Sequence, residues 1–191
     1  MAFCGTHSNN TVGGTTPAAR NLISGNVGDV ILLGGDSSGH VVQGNLIGTE
    51  KTGTLALGNS GPGVTGGSSN TLIGGASIAA RNIISANNPG IDLGDGSKSF
   101  VQSNFIGTDV TGTVALGNTN GAVNVNSGTN NLIGGLTATP GMPPGNLISA
   151  DTGGYGVTLF TAAAAGNVIQ GNYRSRYHRH TTARQPRRSS N

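Results

Sequence analysis

The residues best suited to acid–base chemistry in this 191-residue sequence are seven carboxylates. They are Asp29, Asp36, Glu50, Asp92, Asp95, Asp109 and Asp151. Enzymes that cleave polysaccharides, by hydrolysis or by elimination, use clustered carboxylates, alone or with Ca²⁺ and a basic residue. Asp92 and Asp95, in the segment GIDLGDGSK with Lys98 nearby, form the best local cluster and predict the catalytic groups of such an enzyme. Acids that form turns and keep the surface soluble are the alternative interpretation.

A metal site would need a denser set of ligands than the sequence offers. Glu50 and Asp109 occupy equivalent positions in two copies of one segment and are weak candidates for a shared cation. Ca²⁺ takes six to eight oxygen ligands, and these copies supply one carboxylate each. His7 and His40 lack partners at the spacing of a zinc site. We therefore expect no cofactor, with Ca²⁺ as the alternative.

The elements that position these residues follow from an internal repeat. GTEKTGTLALGN at 48–59 returns as GTDVTGTVALGN at 107–118, and VVQGNLIGT at 41–49 returns as FVQSNFIGT at 100–108. Repetition at a fixed interval is the signature of a stacked repeat architecture. The interval is about 60 residues, and within it a Gly–apolar–x–apolar pattern recurs about every 30 residues. Each long repeat therefore predicts two coils of a solenoid.

Short apolar runs bounded by Gly and Asn predict short strands and tight corners. A single coil of such strands cannot bury its apolar face, whereas coils stacked about 4.8 Å apart bury it and complete the hydrogen bonds between neighbours. Asn stacked over Asn adds a ladder of side-chain amides. The prediction is an all-β fold: a right-handed parallel β-helix of about six coils over residues 1–173. In it, Asp92 should face outward, Asp95 should lie in the next turn, and Leu57 and Leu116 should pin two outward loops.

Residues 9–173 resemble right-handed parallel β-helix repeat proteins of the pectate-lyase-like superfamily. The likeness is greatest to bacterial surface proteins with long arrays of NxIGG, NxISxN and GNxIGTDxTGTxALGN, and the two GTxxTGTxALGN phrases carry it. The resemblance implies a secreted or surface-attached array. It implies no active site, because the matching positions are structural ones.

The positive charge of the sequence is confined to its last residues. Of ten Lys and Arg residues, six are Arg174, Arg176, Arg179, Arg184, Arg187 and Arg188, so residues 1–173 carry a net charge of −3. A basic segment of this kind can bind phosphates. We nevertheless expect no nucleic-acid partner, because residues 174–191 have a different explanation.

Residues 174–191 are predicted to be an out-of-frame translation. Codons that encode the segment from Tyr173 onward, read one base later, permit Ile-Gly-x-Asp-Thr-Thr-Gly-Thr-x-x-Leu-Gly-Asn. That string is a third copy of the repeated phrase, in register with residues 106–118. The nucleotide sequence of the gene tests this hypothesis. The same reading predicts that 174–191 is disordered and that the chain is a fragment of a longer array.

Two functions stay open at this level. The first is a non-catalytic structural or interaction module of a secreted or cell-surface bacterial protein, with a polysaccharide or surface glycan as partner. The second is a polysaccharide lyase or glycoside hydrolase acting in a groove along the helix. Residues 1–14 show no basic segment followed by an apolar run, so no signal peptide is expected within them. No apolar run is long enough to span a bilayer.

Overall fold

The chain folds as a right-handed parallel β-helix of six coils, as the sequence predicts. The computed structural model describes residues 1–3, 5–149 and 155–175. Each coil contributes three strands of two or three residues, and every named strand pairs in parallel with the equivalent strand of the next coil. Two coils make one long repeat, since β-strand positions recur at the interval read from the sequence.

The strands are numbered in chain order and grouped by coil. Coils 1 and 2 contain β1 (Ala2–Phe3), β2 (Thr11–Gly13), β3 (Leu22–Ile23), β4 (Leu32–Leu33), β5 (Val41–Gln43) and β6 (Leu46–Ile47). Coils 3 and 4 contain β7 (Val64–Gly66), β8 (Leu72–Gly74), β9 (Ile83–Ile84), β10 (Ile91–Asp92), β11 (Phe100–Gln102) and β12 (Phe105–Ile106). Coils 5 and 6 contain β13 (Val123–Val125), β14 (Leu132–Gly134), β15 (Leu147–Ser149), β16 (Val157–Leu159), β17 (Val168–Gln170) and β18 (Tyr173–Ser175).

The first, second and third strands of the coils build three separate sheets of six strands each. The register is constant in the second sheet, where Ile73 pairs with Val101 and Val101 pairs with Ile133. Like residues therefore lie over like residues through the stack. A narrow apolar interior results, because the side chains that point inward from all three sheets meet along the axis.

The interior is a set of aliphatic columns. In the third sheet the column consists of Ile23, Ile47, Ile84, Ile106 and Ile148, and all but the first of these are buried. Arg174 of β18 pairs with Ile148 and so takes the next position of this column. β-Branched side chains suit such columns because they pack well on a pleated surface.

Asparagine ladders account for the abundance of Asn. One ladder consists of Asn21, Asn45, Asn82, Asn104, Asn146 and Asn172. At each step the main-chain N–H of the lower Asn donates to the Oδ1 of the upper one, as from Asn104 to Asn146 at 2.9 Å. The upper amide also donates downward, as from Asn146 Nδ2 to the Val101 carbonyl at 2.7 Å. The buried amides are thereby satisfied, as buried polar groups must be.

Corners and connections complete the coils. Glycine is required at the corner after β12, because Gly107 has φ +83° and a Cβ there would lie 1.9 Å from the Ser149 carbonyl oxygen. Two 3₁₀ turns, Pro17–Ala19 and Ile78–Ala80, occupy equivalent corners of coils 1 and 3. Within the described ranges, no helix has the length and apolar character needed to cross a membrane.

Candidate functional site

A polar groove of about 520 Å³ crosses coils 2 to 4, where the chain passes from the first sheet to the second. Its lining consists of Gly35, Asp36, Ser37, Ser38, Gly67, Ser69 and Asp95. Asp36 follows β4 and Asp95 follows β10, and both carboxylates are exposed. Coil 3 separates them with small residues: a Cβ on Gly67 would lie only 3.2 Å from Asp95 Oδ1. The two acids therefore face one groove across a narrow strip of backbone.

The groove is anchored from beneath by a buried histidine. Ser37 donates to the Gly34 carbonyl at 2.9 Å, and His40 Nε2 lies 3.0 Å from Ser37 Oγ. On the other side of the ring, Nδ1 accepts the Asn10 main-chain N–H at 3.3 Å. Because Nδ1 accepts a hydrogen bond, it carries no proton, and because the Ser37 hydroxyl already donates to Gly34, it accepts from Nε2; these contacts fit the neutral ring with its proton on Nε2. Burial lowers the pKa of His40, which favours the same neutral form.

The cluster predicted around Asp92 is divided by the structure. Asp92 lies between the buried side chains of Ile91 and Leu93, as predicted for an outward-facing residue, and it is half-buried. Its Oδ1 accepts the Gly94 N–H at 2.9 Å, which makes it a turn-forming residue. Asp95 alone of the predicted trio lines the groove.

Lys98 is exposed and lies outside the lining of the groove. Its main chain has φ +56° and donates to the Thr129 carbonyl at 2.9 Å, which places it at a corner between sheets. The groove therefore pairs Asp95 with Asp36 rather than with Asp92 and Lys98.

The repeated twelve-residue phrases form two loops at the corner after the third sheet, and their acids organise the loops. The Glu50 carboxylate accepts N–H groups from Thr52 at 2.7 Å, Thr54 at 2.9 Å and Leu55 at 3.3 Å. The hydroxyls of both threonines also donate to it. These hydrogen bonds, chiefly that of the Thr52 side chain, lower the pKa of Glu50 to about 2.

Asp109 organises the second loop in the same way, by accepting hydrogen bonds from it. Its Oδ1 accepts the N–H groups of Thr113 and Val114, each at 3.0 Å, and the Thr111 hydroxyl lies 2.8 Å from both carboxylate oxygens. Burial acts to raise the pKa of Asp109, but these hydrogen bonds outweigh it and hold the pKa below its usual value.

The loops are stacked into a ridge and are held by their main chains. The Val110 N–H donates to the Gly53 carbonyl at 2.8 Å, which joins the second loop to the first. Leu57 was expected to pin its loop through its side chain, but that side chain is 48% exposed. Its main-chain N–H instead donates to the Gly48 carbonyl at 3.0 Å, and its carbonyl accepts the Gly25 N–H at 3.1 Å.

The two acidic surfaces thus differ in what they can bind. In the ridge, the oxygens of Glu50 and Asp109 already accept hydrogen bonds from their own loops. In the groove, Asp36 and Asp95 present carboxylates beside serine hydroxyls. Over the described residues, no group of three or more His, Cys, Asp or Glu side chains is arranged to hold a metal ion. The groove can accept hydrogen bonds from a neutral hydroxylated ligand.

Sequence reasoning missed part of the groove. It selected Asp95 but not Asp36, Ser37, Ser38 or Ser69, although Asp36 stands about one long repeat before Asp95. The available signal was the Asp-Ser-Ser triplet at 36–38, which follows a strand at the same corner as Asp95. That signal is weak, because serine is equally common in ordinary turns.

Fold and site together define the class as a parallel β-solenoid with a Ser/Asp groove and a loop ridge. Comparisons with family models, with curated proteins and with solved structures gave no match.

Most of the basic segment lies outside the described residues, which end at Ser175. The predictions for 176–191, including disorder and the absence of a nucleic-acid partner, stay predictions. Within the described part, Tyr173–Ser175 continues the solenoid as β18, two residues beyond the boundary predicted at 173.

Proposed function

We propose that this chain is a non-catalytic structural and interaction module of a secreted or cell-surface bacterial protein, and that its groove binds glycans. The observation that supports this most directly is the contrast between its acids. Glu50 and Asp109 are saturated by their own loops, whereas Asp36 and Asp95 face a shared groove with serine hydroxyls. Carboxylates and hydroxyls accept hydrogen bonds from sugar hydroxyls, and charged acceptors form the stronger ones.

The extracellular setting rests on the resemblance of the repeated phrases to bacterial surface arrays of the pectate-lyase-like superfamily. A stiff solenoid that presents one groove and a ridge of loops fits such a setting. Each of its coils is stabilised by contacts with the neighbouring coils, which leaves the lateral surface free to bind.

Binding to immobilised polysaccharides tests the proposal. The wild-type chain should bind a neutral or basic polysaccharide, and an Asp36→Asn, Asp95→Asn variant should bind at least about tenfold more weakly, because charged hydrogen bonds are lost. The matched control is Asp29→Asn, which changes an exposed acid that does not line the groove. Equal affinity for the wild type and the groove variant would show that the groove is not the binding surface.

The alternative is a polysaccharide lyase or glycoside hydrolase, and one observation favours it. Two carboxylates, Asp36 and Asp95, line the same groove, and carboxylate pairs supply the acid and the base of glycoside cleavage. Lys98 lies outside the lining of the groove, so it does not serve as a basic partner for this pair.

Cleavage of acidic polysaccharides, followed by the release of reducing or unsaturated ends, distinguishes the two functions. The non-catalytic module releases none above background. An enzyme of this groove would lose at least about a hundredfold in rate in either Asp36→Asn or Asp95→Asn, since each acid would have a chemical role. Asp92→Asn is the control, because its carboxylate forms a turn away from the groove lining.

A further inference from the structure

Within the described residues, the two end faces of the solenoid carry strand edges with no neighbouring strand. Strands β1, β2 and β3 form the lower edge, and β16, β17 and β18 form the upper edge. Apolar side chains are exposed on both faces: Leu22 is 49% exposed below, and Ile169 and Tyr173 are 47% and 50% exposed above. Edge strands with exposed apolar side chains are templates for pairing with another chain.

The asparagine ladder leaves complementary groups at its two ends. At every internal step the lower Asn donates its N–H to the upper Asn, which donates its amide to a carbonyl of the lower second-sheet strand. Among the described residues, the main-chain N–H of Asn172 has no acceptor, and Oδ1 of Asn21 has no donor. The ladder therefore ends in a donor above and an acceptor below.

Each end face also opens into a cavity that carries charged groups: the lower holds the Asp29 carboxylate and the Met1 ammonium, which donates to the Val30 carbonyl at 2.7 Å, and the upper holds the Arg174 guanidinium. The lower cavity, of about 370 Å³, is lined by Met1, Leu22, Ile23 and the carboxylate-bearing Asp29, among others. The upper cavity, of about 240 Å³, is lined by Ile148, Ile169 and Arg174, among others. Arg174 occupies the isoleucine column, so a coil placed above it would set Ile23 over its stem and bring Asp29 near its guanidinium.

We propose that a second copy of this chain binds here, with coil 1 of one copy stacked on coil 6 of the next. The register that runs through the stack then pairs Tyr173 with Leu22 and Ile169 with Val12 of the neighbouring copy. Asn21 of that copy accepts the free N–H of Asn172, which extends the ladder across the junction. Because the contact joins unlike faces and advances along the axis, it does not close, and the assembly is an open filament.

Variants that block one end each provide the test. Leu22→Glu places a charge on the lower face, and Ile169→Glu places one on the upper face, both at half-exposed positions. In sedimentation velocity, the wild type should grow into larger species with concentration, while each variant alone stays monomeric. An equimolar mixture of the two should give a 1:1 dimer and nothing larger, because one intact junction remains. Ile78→Glu, at an exposed position of coil 3 in the middle of the stack, is the matched control and should associate like the wild type.

Far-ultraviolet circular dichroism and thermal midpoints establish that the variants are folded. If either of them fails to fold, charge exchange at exposed residues replaces it: Arg174→Asp should weaken association at least about fivefold, and adding Asp29→Arg should restore it. A wild type that stays monomeric at all concentrations overturns the proposal. If removal of residues 176–191 then releases association, that segment is the occupant of the upper face. The proposal is also overturned if Leu22→Glu is monomeric while Ile169→Glu forms a dimer, because that result indicates a symmetric contact between two lower faces.

Discussion

Individual acids of one chemical type have different environments in this molecule, and the environment decides what each one does. The Asp92 carboxylate accepts the Gly94 N–H within its own turn, and the Asp109 carboxylate accepts hydrogen bonds from three groups of its own loop. Asp95 lies beside Gly67 and faces the groove. The sequence correctly predicted that Asp92 points outward and that Asp95 lies in the next turn. It did not predict that Lys98 would be separate, because the direction of a corner residue depends on its φ angle rather than on strand alternation.

His40 lies in a column whose other members are Asn, Thr and Ser residues. Asn10 lies below it in the first coil and bonds to its Nδ1, while Thr71, Ser99 and Asn131 occupy the corresponding corner of later coils. The ring is fully buried and stacks on Phe3, with the ring centroids 5.7 Å apart. Its neutral form is therefore part of the folded structure.

We expect the free energy of unfolding to fall as the pH drops from 7 to 5.5. Burial lowers the pKa of His40 in the folded state, so the unfolded chain takes up the proton first, near pH 6.5. The stability that His40 contributes is thus present above that pH and is lost below it. Urea unfolding at several pH values measures the slope. His40→Asn, the residue type found elsewhere in the column, should reduce this slope, and an unchanged slope would assign it to other groups.

Between residue and fold, the repeated corner is the element that sets the geometry. Gly107 turns the chain out of β12 in a left-handed conformation, directly beneath the Ser149 carbonyl. Gly48 has the same role after β6, with φ +85° and the Ser85 carbonyl above it. A glycine is needed at both because the next coil passes too close for a Cβ.

Replacing Gly107 by alanine should cost roughly 3 kcal/mol or more of stability, because a left-handed conformation and a main-chain clash add together. Gly28→Ala is the matched control: its φ of +84° is nearly the same, but nothing lies within 4 Å of the added Cβ. That variant should lose only about 1–2 kcal/mol. Chemical denaturation of the two variants measures the difference. Similar losses in both would mean that the clash is relieved by a shift of coil 5.

Strand pairing was predictable from the sequence for a physical reason. Stacked coils place equivalent residues in contact, so Ile73 and Ile133 appear in equivalent phrases and also in one column. The groove was less predictable. The groove exists because the residues of coil 3 between Asp36 and Asp95 are too small to cover them. An alignment of the repeats shows which residues are equivalent, but it does not show which of them a neighbouring coil leaves exposed.

At the scale of the whole molecule, stability is the sum of contacts between neighbouring coils. A long repeat should therefore be removable when the cut points are equivalent. Deletion of residues 49–107 joins Gly48 to Thr108 and brings coil 2 against coil 5 in the native register. We expect a folded four-coil protein with the same type of circular-dichroism spectrum and a lower thermal midpoint.

The control deletion removes 49–93 and joins Gly48 to Gly94, which is an inequivalent position. It should fail to fold, because inward and outward residues no longer match across the junction. A cooperative, native-like transition in this control would show that stacking tolerates loss of register. If the in-register deletion fails to fold, coils 3 and 4 stabilise the protein by more than their contacts with neighbouring coils.

Arg174 stands apart from this uniformity, because a charged residue takes the place held by isoleucine in five coils. The out-of-frame hypothesis accounts for a charge there, and the nucleotide sequence of the gene is still its test. Arg174→Ile would restore the isoleucine column whether or not the out-of-frame hypothesis is correct.

The bonds that join one coil to the next all run along the long axis, and this has a mechanical consequence. A force that pulls the two chain termini apart along that axis is carried by every junction, but it opens the hydrogen bonds of a terminal junction one after another. It peels the terminal winding first, then its neighbour, so the rod yields in a series of small, similar steps and dissipates work over a long extension.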